Sequence, residues 1–196
     1  MNFQKEKKDF LIKKDKSRKG NIDAKIKKLV NRINSLGEFF TTSSCSGRIM
    51  LFSLPKSNKK NEVQYLFNSH KKIKFNETNN ILNIIKNKKI KDDVWFRMGG
   101  AILHVASNNI DSARKLLNAA RDIGFRRSGI ISLGKNRVTM ELVSTENIEA
   151  IVSKKGRLLI DEDYLRVLIK EGNAKLEKAW GKIGRLYKAL GNIIFD

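Results

Sequence analysis

One short stretch of the chain concentrates side chains that could bind a small polar ligand. It lies between two apolar, strand-like segments and contains Thr41, Thr42, Ser43, Ser44, Cys45, Ser46, Gly47 and Arg48. Hydroxyl groups beside the backbone N–H groups of a turn form a polar cup that can accept a carboxylate, a phosphate or an amide. Gly47 permits close approach of a ligand, and the guanidinium of Arg48 can bind a carboxylate or phosphate with two hydrogen bonds. A well-capped turn around a structural cysteine is the alternative, and the residue types by themselves favour it.

Proton transfer near neutral pH would fall to the histidines, of which the chain has two. His70 follows the strand-like run "YLFNS", and His104 lies within the apolar segment "AILHVAS". Each could equally be a histidine with a purely structural role. Cys45 has no recognisable Cys–His signature, which favours packing or ligand binding over nucleophilic catalysis. One cysteine and two histidines cannot form an ordinary four-ligand zinc site, so we predict no structural metal.

Two further groups could contact an anionic substrate. Arg126, Arg127 and Ser128 stand between a helix and a strand in "GFRRSG", where adjacent arginines suit phosphate contacts. Glu141 is the one acid in the apolar strand "RVTMELVS", and its side chain could face a binding site. The alternatives are solvated charge for the arginines and an outward-pointing edge position for the glutamate.

The charge balance is strongly basic, with 41 Lys and Arg against 20 Asp and Glu and a net charge of +21. Residues 2–32 carry 12 basic and 4 acidic side chains, and residues 56–91 carry 10 and 2. Such an excess attracts polyanions through counterion release, so we favour nucleic acid as the partner over a mere compositional bias. A membrane surface is less favoured, because the N-terminal segment has few bulky aromatic anchors. No apolar run is long enough to cross a bilayer.

Hydrophobic periodicity and the positions of glycine and proline divide the chain into helices and strands. The predicted helices cover residues 3–19, 22–36, 77–88, 111–123 and 161–173, with a helical tail over 175–195. The predicted strands cover 39–42, 48–54, 63–69, 94–106, 130–133, 137–144 and 158–160, with a bend at Gly99 and Gly100 in the longest. We therefore predict an α+β fold in which a mixed or antiparallel sheet is flanked by helices.

The length of 196 residues suits one compact domain with its own core. We predict that residues 1–196 form a single domain with basic N-terminal helices (1–37), an α+β core (38–173) and a helical C-terminal tail (174–196). A single cysteine and the lack of an apolar leader favour a cytoplasmic location. The sequence contains no G-x-G-x-x-G, P-loop or H-E-x-x-H motif, which disfavours a Rossmann-type nicotinamide enzyme, a P-loop NTPase and a zincin.

Five segments, in this order, resemble those of a known enzyme family: "TTSSCSGRI", "FNSH", "AILHVAS", "GFRRSGIIS" and "TMELVST". Over about residues 22–173 the chain is similar to the third enzyme family of wybutosine biosynthesis, the tRNA methyltransferases that act on the modified guanosine beside the anticodon. The resemblance implies methyl transfer from S-adenosylmethionine to ring nitrogen N4 of 7-aminocarboxypropyl-demethylwyosine in tRNA(Phe). It also implies that the anticodon stem-loop is the RNA partner.

Within this resemblance the candidate residues acquire expected roles. His104 or His70 is the candidate general base, and residues 43–48 are expected to hold the cofactor or the carboxylate of the base's side chain. The substrate and RNA are expected to contact Arg126, Arg127, Ser128 and Glu141. We expect all these groups to converge on one pocket. A non-catalytic basic RNA-binding module is the alternative function, and the sequence leaves the oligomeric state open.

Overall fold

The computed structural model describes residues 2–12, 22–55, 62–87 and 90–191. The chain divides into two compact units, each assembled from separate stretches of sequence. The first unit comprises Met1–Ser46, Gly100–Thr145 and Ala179–Asp196, and the second comprises Gly47–Gly99 and Glu146–Lys178. The prediction that residues 1–196 form a single domain stays a prediction.

Helices and antiparallel strands make up the described residues, which confirms the α+β class. The helices are α1 (Phe3–Ile12), α2 (Ala24–Ser35), α3 (Thr78–Ile85), α4 (Ile110–Ile123) and α5 (Glu162–Ala189). The strands are β1 (Phe39–Cys45), β2 (Arg48–Leu54), β3 (Gln64–Ser69), β4 (Asp93–Gly99), β5 (Ile102–Ser107), β6 (Gly129–Leu133), β7 (Val138–Val143), β8 (Asn147–Lys154) and β9 (Arg157–Leu158). No helix among the described residues is long and apolar enough to cross a membrane.

The first unit is built on a four-stranded sheet in the order β1-β5-β7-β6. One face of this sheet carries apolar side chains such as Leu103 and Met140, which are fully buried in the core with α2 and α4. Helix α2 contributes a stripe of buried residues at spacings of three and four, including Ile26 and Leu29. Each such side chain stabilises the fold by roughly 1.5–3 kcal/mol. Helix α4 is capped at its start by Asn109, whose side chain accepts a hydrogen bond from the Ser112 N–H.

Helix α1 covers one end of the opposite face of this sheet. The rings of Phe3 and Phe10 lie 5.3 and 5.2 Å from the ring of Phe40, in tilted arrangements. The ammonium group of Lys7 donates a hydrogen bond to the carbonyl of Leu36, and burial lowers the pKa of Lys7. The predicted helix over 3–19 is therefore confirmed as far as Ile12, and its remainder lies outside the described residues.

The second unit contains a five-stranded sheet in the order β3-β2-β4-β8-β9. Five consecutive residues of β2, Ile49–Ser53, are buried, so this strand is covered on both faces. In the first part of α5, a Cβ added at Gly172 would stand 3.2 Å from Cδ1 of Ile49 and 3.5 Å from Cζ of Phe96. The glycine therefore lets the helix backbone approach the sheet closely.

Three sequence predictions about the elements are wrong, and one strand was missed. The turn predicted between strands 39–42 and 48–54 is too long, because β1 continues as a strand to Cys45. The segment 94–106 is not one strand, because β4 and β5 pair in different sheets on either side of Gly100 and Ala101. The helix predicted over 161–173 and the helical tail are one continuous helix, and β8 was not predicted.

Candidate functional site

Strand pairing in the first unit brings three polar side chains into one row across the sheet. Ser43 of β1 is opposite His104 of β5, and His104 is opposite Glu141 of β7. Directly opposed residues in antiparallel strands point to the same face, so the three side chains stand side by side. Gly129 of β6 is opposite Glu141, and a Cβ added there would meet no atom within 4 Å. The row therefore ends beside open space.

Hydrogen bonds link the three side chains of the row. Oγ of Ser43 lies 2.6 Å from Nδ1 of His104, and Nε2 of His104 lies 3.0 Å from Oε1 of Glu141. The side chains of His104 and Glu141 are each 32% exposed, and Ser43 is exposed, so these three hydrogen-bonded side chains are accessible to a substrate. A hydroxyl, an imidazole and a carboxylate linked in this way can accept and store a proton. We call Ser43, His104 and Glu141 the proton row.

A bulge in β1 decides which hydroxyl joins the proton row. The pairing with β5 shifts by one residue between Thr41 and Ser43. Without that extra residue, Thr42 would stand opposite His104 and Ser43 would turn to the other face. The side chain of Asn34 holds the start of the bulge, because its Oδ1 accepts hydrogen bonds from the backbone N–H (2.8 Å) and the hydroxyl (3.1 Å) of Thr41.

The other residues of the hydroxyl-rich stretch do not surround a ligand as a turn would. Ser44 is opposite the buried Leu103, so its side chain leaves β1 on the face away from His104. Cys45 is half-buried on the same face as the proton row. Ser46 is buried, and both its N–H and its hydroxyl donate to Oδ2 of Asp23, at 3.0 and 3.1 Å. The predicted turn is therefore wrong at this place, and ligand binding by these residues stays a prediction.

Sequence reasoning missed Asp23 and Asn34. Asp23 occupies the N-cap position of α2, where a carboxylate ordinarily caps the helix, but its side chain makes no cap hydrogen bond. It binds Ser46 at the end of β1 instead. Asn34 lies in the last turn of the same helix. Neither position carries a sequence signal for these contacts, because both contacts depend on how α2 packs beside β1.

The loop between α4 and β6 separates its three candidate residues. Arg126 and Arg127 are exposed, whereas Ser128 is 5% exposed. The hydroxyl of Ser128 donates to the carbonyl of Phe125 (2.5 Å) and accepts from the N–H of Val143 (2.9 Å). Ser128 thus fixes the loop, while the two arginines reach solvent just before Gly129. Contact of the three residues with RNA stays a prediction.

The remaining candidates belong to the second unit. Gly47 has a positive φ of 97°, which favours glycine, and Arg48 begins β2. The guanidinium carbon of Arg48 lies 5.6 Å from the centre of the Tyr65 ring, within the range of a cation–π contact. His70 directly follows β3 and is half-buried. Convergence of these residues with the proton row stays a prediction.

Comparison with known proteins identifies the family. The family model described as Methyltransferase TYW3 matches residues 4–192. The chain belongs to this methyltransferase family. Two TYW3-family relatives, from Pyrococcus furiosus and Archaeoglobus fulgidus, are 36% and 37% identical to the chain; 94% and 97% of the chain and 93% of each relative are covered. Both are named tRNA(Phe) 7-((3-amino-3-carboxypropyl)-4-demethylwyosine(37)-N(4))-methyltransferase, with the P. furiosus protein numbered 1.

The fold of the TYW3-family chain also matches a solved structure. The PH1069 protein of Pyrococcus horikoshii superposes with a TM-score of 0.85 at 31% identity, over 96% of each chain. Sequence and fold therefore agree over nearly the whole length, and the resemblance inferred from the five motifs is confirmed. The alternative function, a non-catalytic RNA-binding module, receives no support from these comparisons.

Proposed function

We propose that this protein methylates ring nitrogen N4 of 7-(3-amino-3-carboxypropyl)-4-demethylwyosine at position 37 of tRNA(Phe), with S-adenosylmethionine as the methyl donor. The observation that carries the proposal is the match, over nine-tenths of both chains, to relatives named for that reaction. The proton row supports it, because the reaction needs a group that accepts a proton beside the target nitrogen.

The proton balance of the reaction sets the task of the proton row. The ring nitrogen carries one hydrogen before methylation, and it must lose this hydrogen if the methylated base is to end uncharged. A group held near the nitrogen lowers the barrier of such a proton transfer and typically raises the rate by about 10²–10⁴-fold. Imidazole is suited to this role because its ordinary pKa lies close to neutral pH. His104 is therefore the base in this proposal, and His70 is the second candidate.

Arg48 has the chemistry to hold a carboxylate. Within the part of the chain that the structure describes, its guanidinium contacts the Tyr65 ring and forms no ion pair with an acid. Both S-adenosylmethionine and the aminocarboxypropyl side chain of the base carry a carboxylate beside an amine, and guanidinium binds carboxylates with two parallel hydrogen bonds. S-adenosylmethionine, when bound, supplies an electrophilic methyl group. Roles for residues 43–48 in holding it stay predictions.

The RNA part of the proposal rests on charge and accessibility. The excess of 41 basic over 20 acidic residues favours binding to the phosphate backbone. Arg126 and Arg127 are exposed at the loop that leads to Gly129, beside Glu141, and can contact phosphates of the anticodon stem-loop. A base in the anticodon loop can leave its stack at a cost of a few kcal/mol, roughly, which lets the base reach side chains on a sheet.

Mass spectrometry of nucleosides tests the proposed function directly. The substrate is tRNA(Phe) from a strain that lacks this methylation step, incubated with the protein and with S-adenosylmethionine. We expect the precursor nucleoside to gain the mass of one methyl group in place of hydrogen, and to gain nothing when the cofactor is left out. Calorimetry with cofactor and no RNA should show saturable binding. A precursor that stays unmethylated, together with no cofactor binding, would contradict the proposal and favour the alternative function, a non-catalytic RNA-binding module.

A further inference from the structure

Both ring nitrogens of His104 are engaged within the proton row. A carboxylate only accepts hydrogen bonds, so the contact between Glu141 and Nε2 places the ring hydrogen on Nε2. A neutral imidazole has one ring hydrogen, and Nδ1 is then the basic nitrogen. The opposite tautomer would set the lone pair of Nε2 against a carboxylate oxygen at 3.0 Å. Ser43 must therefore donate its hydroxyl hydrogen to Nδ1 at 2.6 Å.

We propose that Ser43 is the group that meets the substrate's proton, that it passes a proton on to His104, and that Glu141 is a positioning residue that fixes the tautomer. The inference rests on the proposed function and names the path of the proton in it. The basic nitrogen of His104 is covered by the Ser43 hydroxyl, whereas Ser43 itself is exposed. A substrate nitrogen that approaches Nδ1 of His104 from solvent therefore meets the oxygen of Ser43 first.

The step balances in protons and charge. The bond between the methyl group and the ring nitrogen would form as the sulfonium–methyl bond of S-adenosylmethionine breaks, which leaves S-adenosylhomocysteine as a neutral thioether. The hydrogen of the ring nitrogen moves to the oxygen of Ser43. The hydroxyl hydrogen of Ser43 moves at the same time to Nδ1 of His104. Ser43 ends as a neutral hydroxyl, His104 ends as imidazolium, and Glu141 stabilises that positive charge through Nε2–H. The imidazolium afterwards releases its proton to solvent.

The imidazole ring of His104 is oriented oppositely to that of the serine hydrolases, so that its two nitrogens exchange partners. In those enzymes the carboxylate binds Nδ1 and the serine binds Nε2. Here the carboxylate binds Nε2 and the serine binds Nδ1, because the two flanking strands supply them from opposite sides of β5. The order of groups is the same in both cases, so a proton can move along either arrangement.

Nitrogen-15 NMR of the two imidazole rings tests the tautomer without any substrate. The chain has only two histidines, so a His70→Gln variant assigns the spectrum. At a pH where the rings are neutral, we expect the hydrogen of His104 to reside on Nε2. Glu141→Gln should shift population to the Nδ1–H tautomer, because an amide can donate to Nε2. Glu149→Gln, which changes the glutamate of another cross-strand pair, is the matched control and should shift nothing. An Nδ1–H tautomer in the wild type would overturn the inference.

Methyl transfer to precursor tRNA tests the path of the proton. Ser43→Ala should lower kcat by about tenfold to a hundredfold, the lower part of the range for general acid–base groups, with unchanged KM for tRNA and an unchanged tautomer. Ser132→Ala, which removes an exposed hydroxyl from β6 of the same sheet, is the control and should leave kcat unchanged. If His104 instead took the proton directly, Ser43→Ala would uncover Nδ1 and leave kcat equal or higher, which would overturn the relay. A wild-type protein that transfers no methyl group would reject the proposed function and leave the measured tautomer standing.

Discussion

Each of the two sheets places a glutamate directly opposite a basic side chain, and the two pairs have different chemistry. In the first unit, His104 and Glu141 are 3.0 Å apart and each 32% exposed. In the second unit, Arg97 and Glu149 are opposite each other on β4 and β8, 3.5 Å apart and 46% and 39% exposed. The arginine is always charged, so its pair is an ordinary surface ion pair, worth at most about 1 kcal/mol.

The third strand makes the difference between the pairs. His104 has a second partner, Ser43, on the strand that flanks β5 on its other side, so its two ring nitrogens are bound from two sides. Arg97 is opposite Met50 on the corresponding strand, which offers no hydrogen-bonding hydroxyl. The comparison teaches that a cross-strand acid–base pair gains chemical function when the basic member can titrate and when a third group in the same row connects it to solvent.

The largest expected effect comes from removing the basic member of each pair. His104→Gln should lower kcat for methyl transfer by about 10²–10⁴-fold, because glutamine cannot take up the proton. Arg97→Gln removes the equivalent side chain of the other pair and should change kcat by less than about twofold, since an exposed ion pair contributes little. Single-turnover methylation of precursor tRNA measures both rates. Equal losses in the two variants would contradict a special role for the first pair.

A smaller effect is expected on protein stability when a side chain is added to a glycine of each unit. It should distinguish the open face of the first sheet from the covered second sheet. Gly172→Val should destabilise the protein by about 1–3 kcal/mol, because its Cβ would press on the buried side chains of Ile49 and Phe96. Gly129→Val should change stability by less than about 0.5 kcal/mol, because the space beside Gly129 is open. Urea unfolding measures both. Strong destabilisation by Gly129→Val would mean that this face of the first sheet is covered.

The smallest expected effect concerns RNA binding by two exposed basic pairs. Replacing Arg126 and Arg127 together by Gln should flatten the plot of log K against log[salt] for tRNA by about 1.4–1.8, if each arginine contacts one phosphate. The matched double change at Lys154 and Lys155, an exposed pair at the β8–β9 turn, should flatten it less, because this pair lies on the sheet without the proton row. Filter binding over a salt series gives the slopes. A larger effect from the lysines would move the RNA contact to the second unit.

Local sequence patterns predicted helices α2 and α4 well. The apolar stripe of α2 and the run from Asp111 to a glycine cap gave α2 and α4 to within two residues, and Gly124 indeed has a positive φ of 109°. Such features depend on neighbours in the sequence, through periodicity and capping. The hairpin of β6 and β7 was also predicted, since Gly134, Lys135 and Asn136 favour a turn.

The predictions that were wrong depended on contacts between distant residues. The helix predicted over 161–173 continues through Gly172 as α5, and the lack of a side chain there lets the helix lie against Ile49 and Phe96. Residues 43–45 looked like part of a turn, because Ser is common in turns and nothing in their order indicates pairing with a strand about 60 residues away.

The sequence by itself determined the strongly basic character, the α+β class and the set of reactive residues: two histidines, one cluster of hydroxyls and an acid within an apolar strand. Only the tertiary structure decided which of them act together. The bulge after Thr41 selects Ser43, and strand pairing places His104 between Ser43 and Glu141. The physical reason is that a strand's side chains alternate between faces, so a shift of one residue in pairing exchanges every partner. That register is set by contacts between separate elements of the fold, such as those of Asn34 with Thr41. The pattern of residues along the sequence does not predict these contacts.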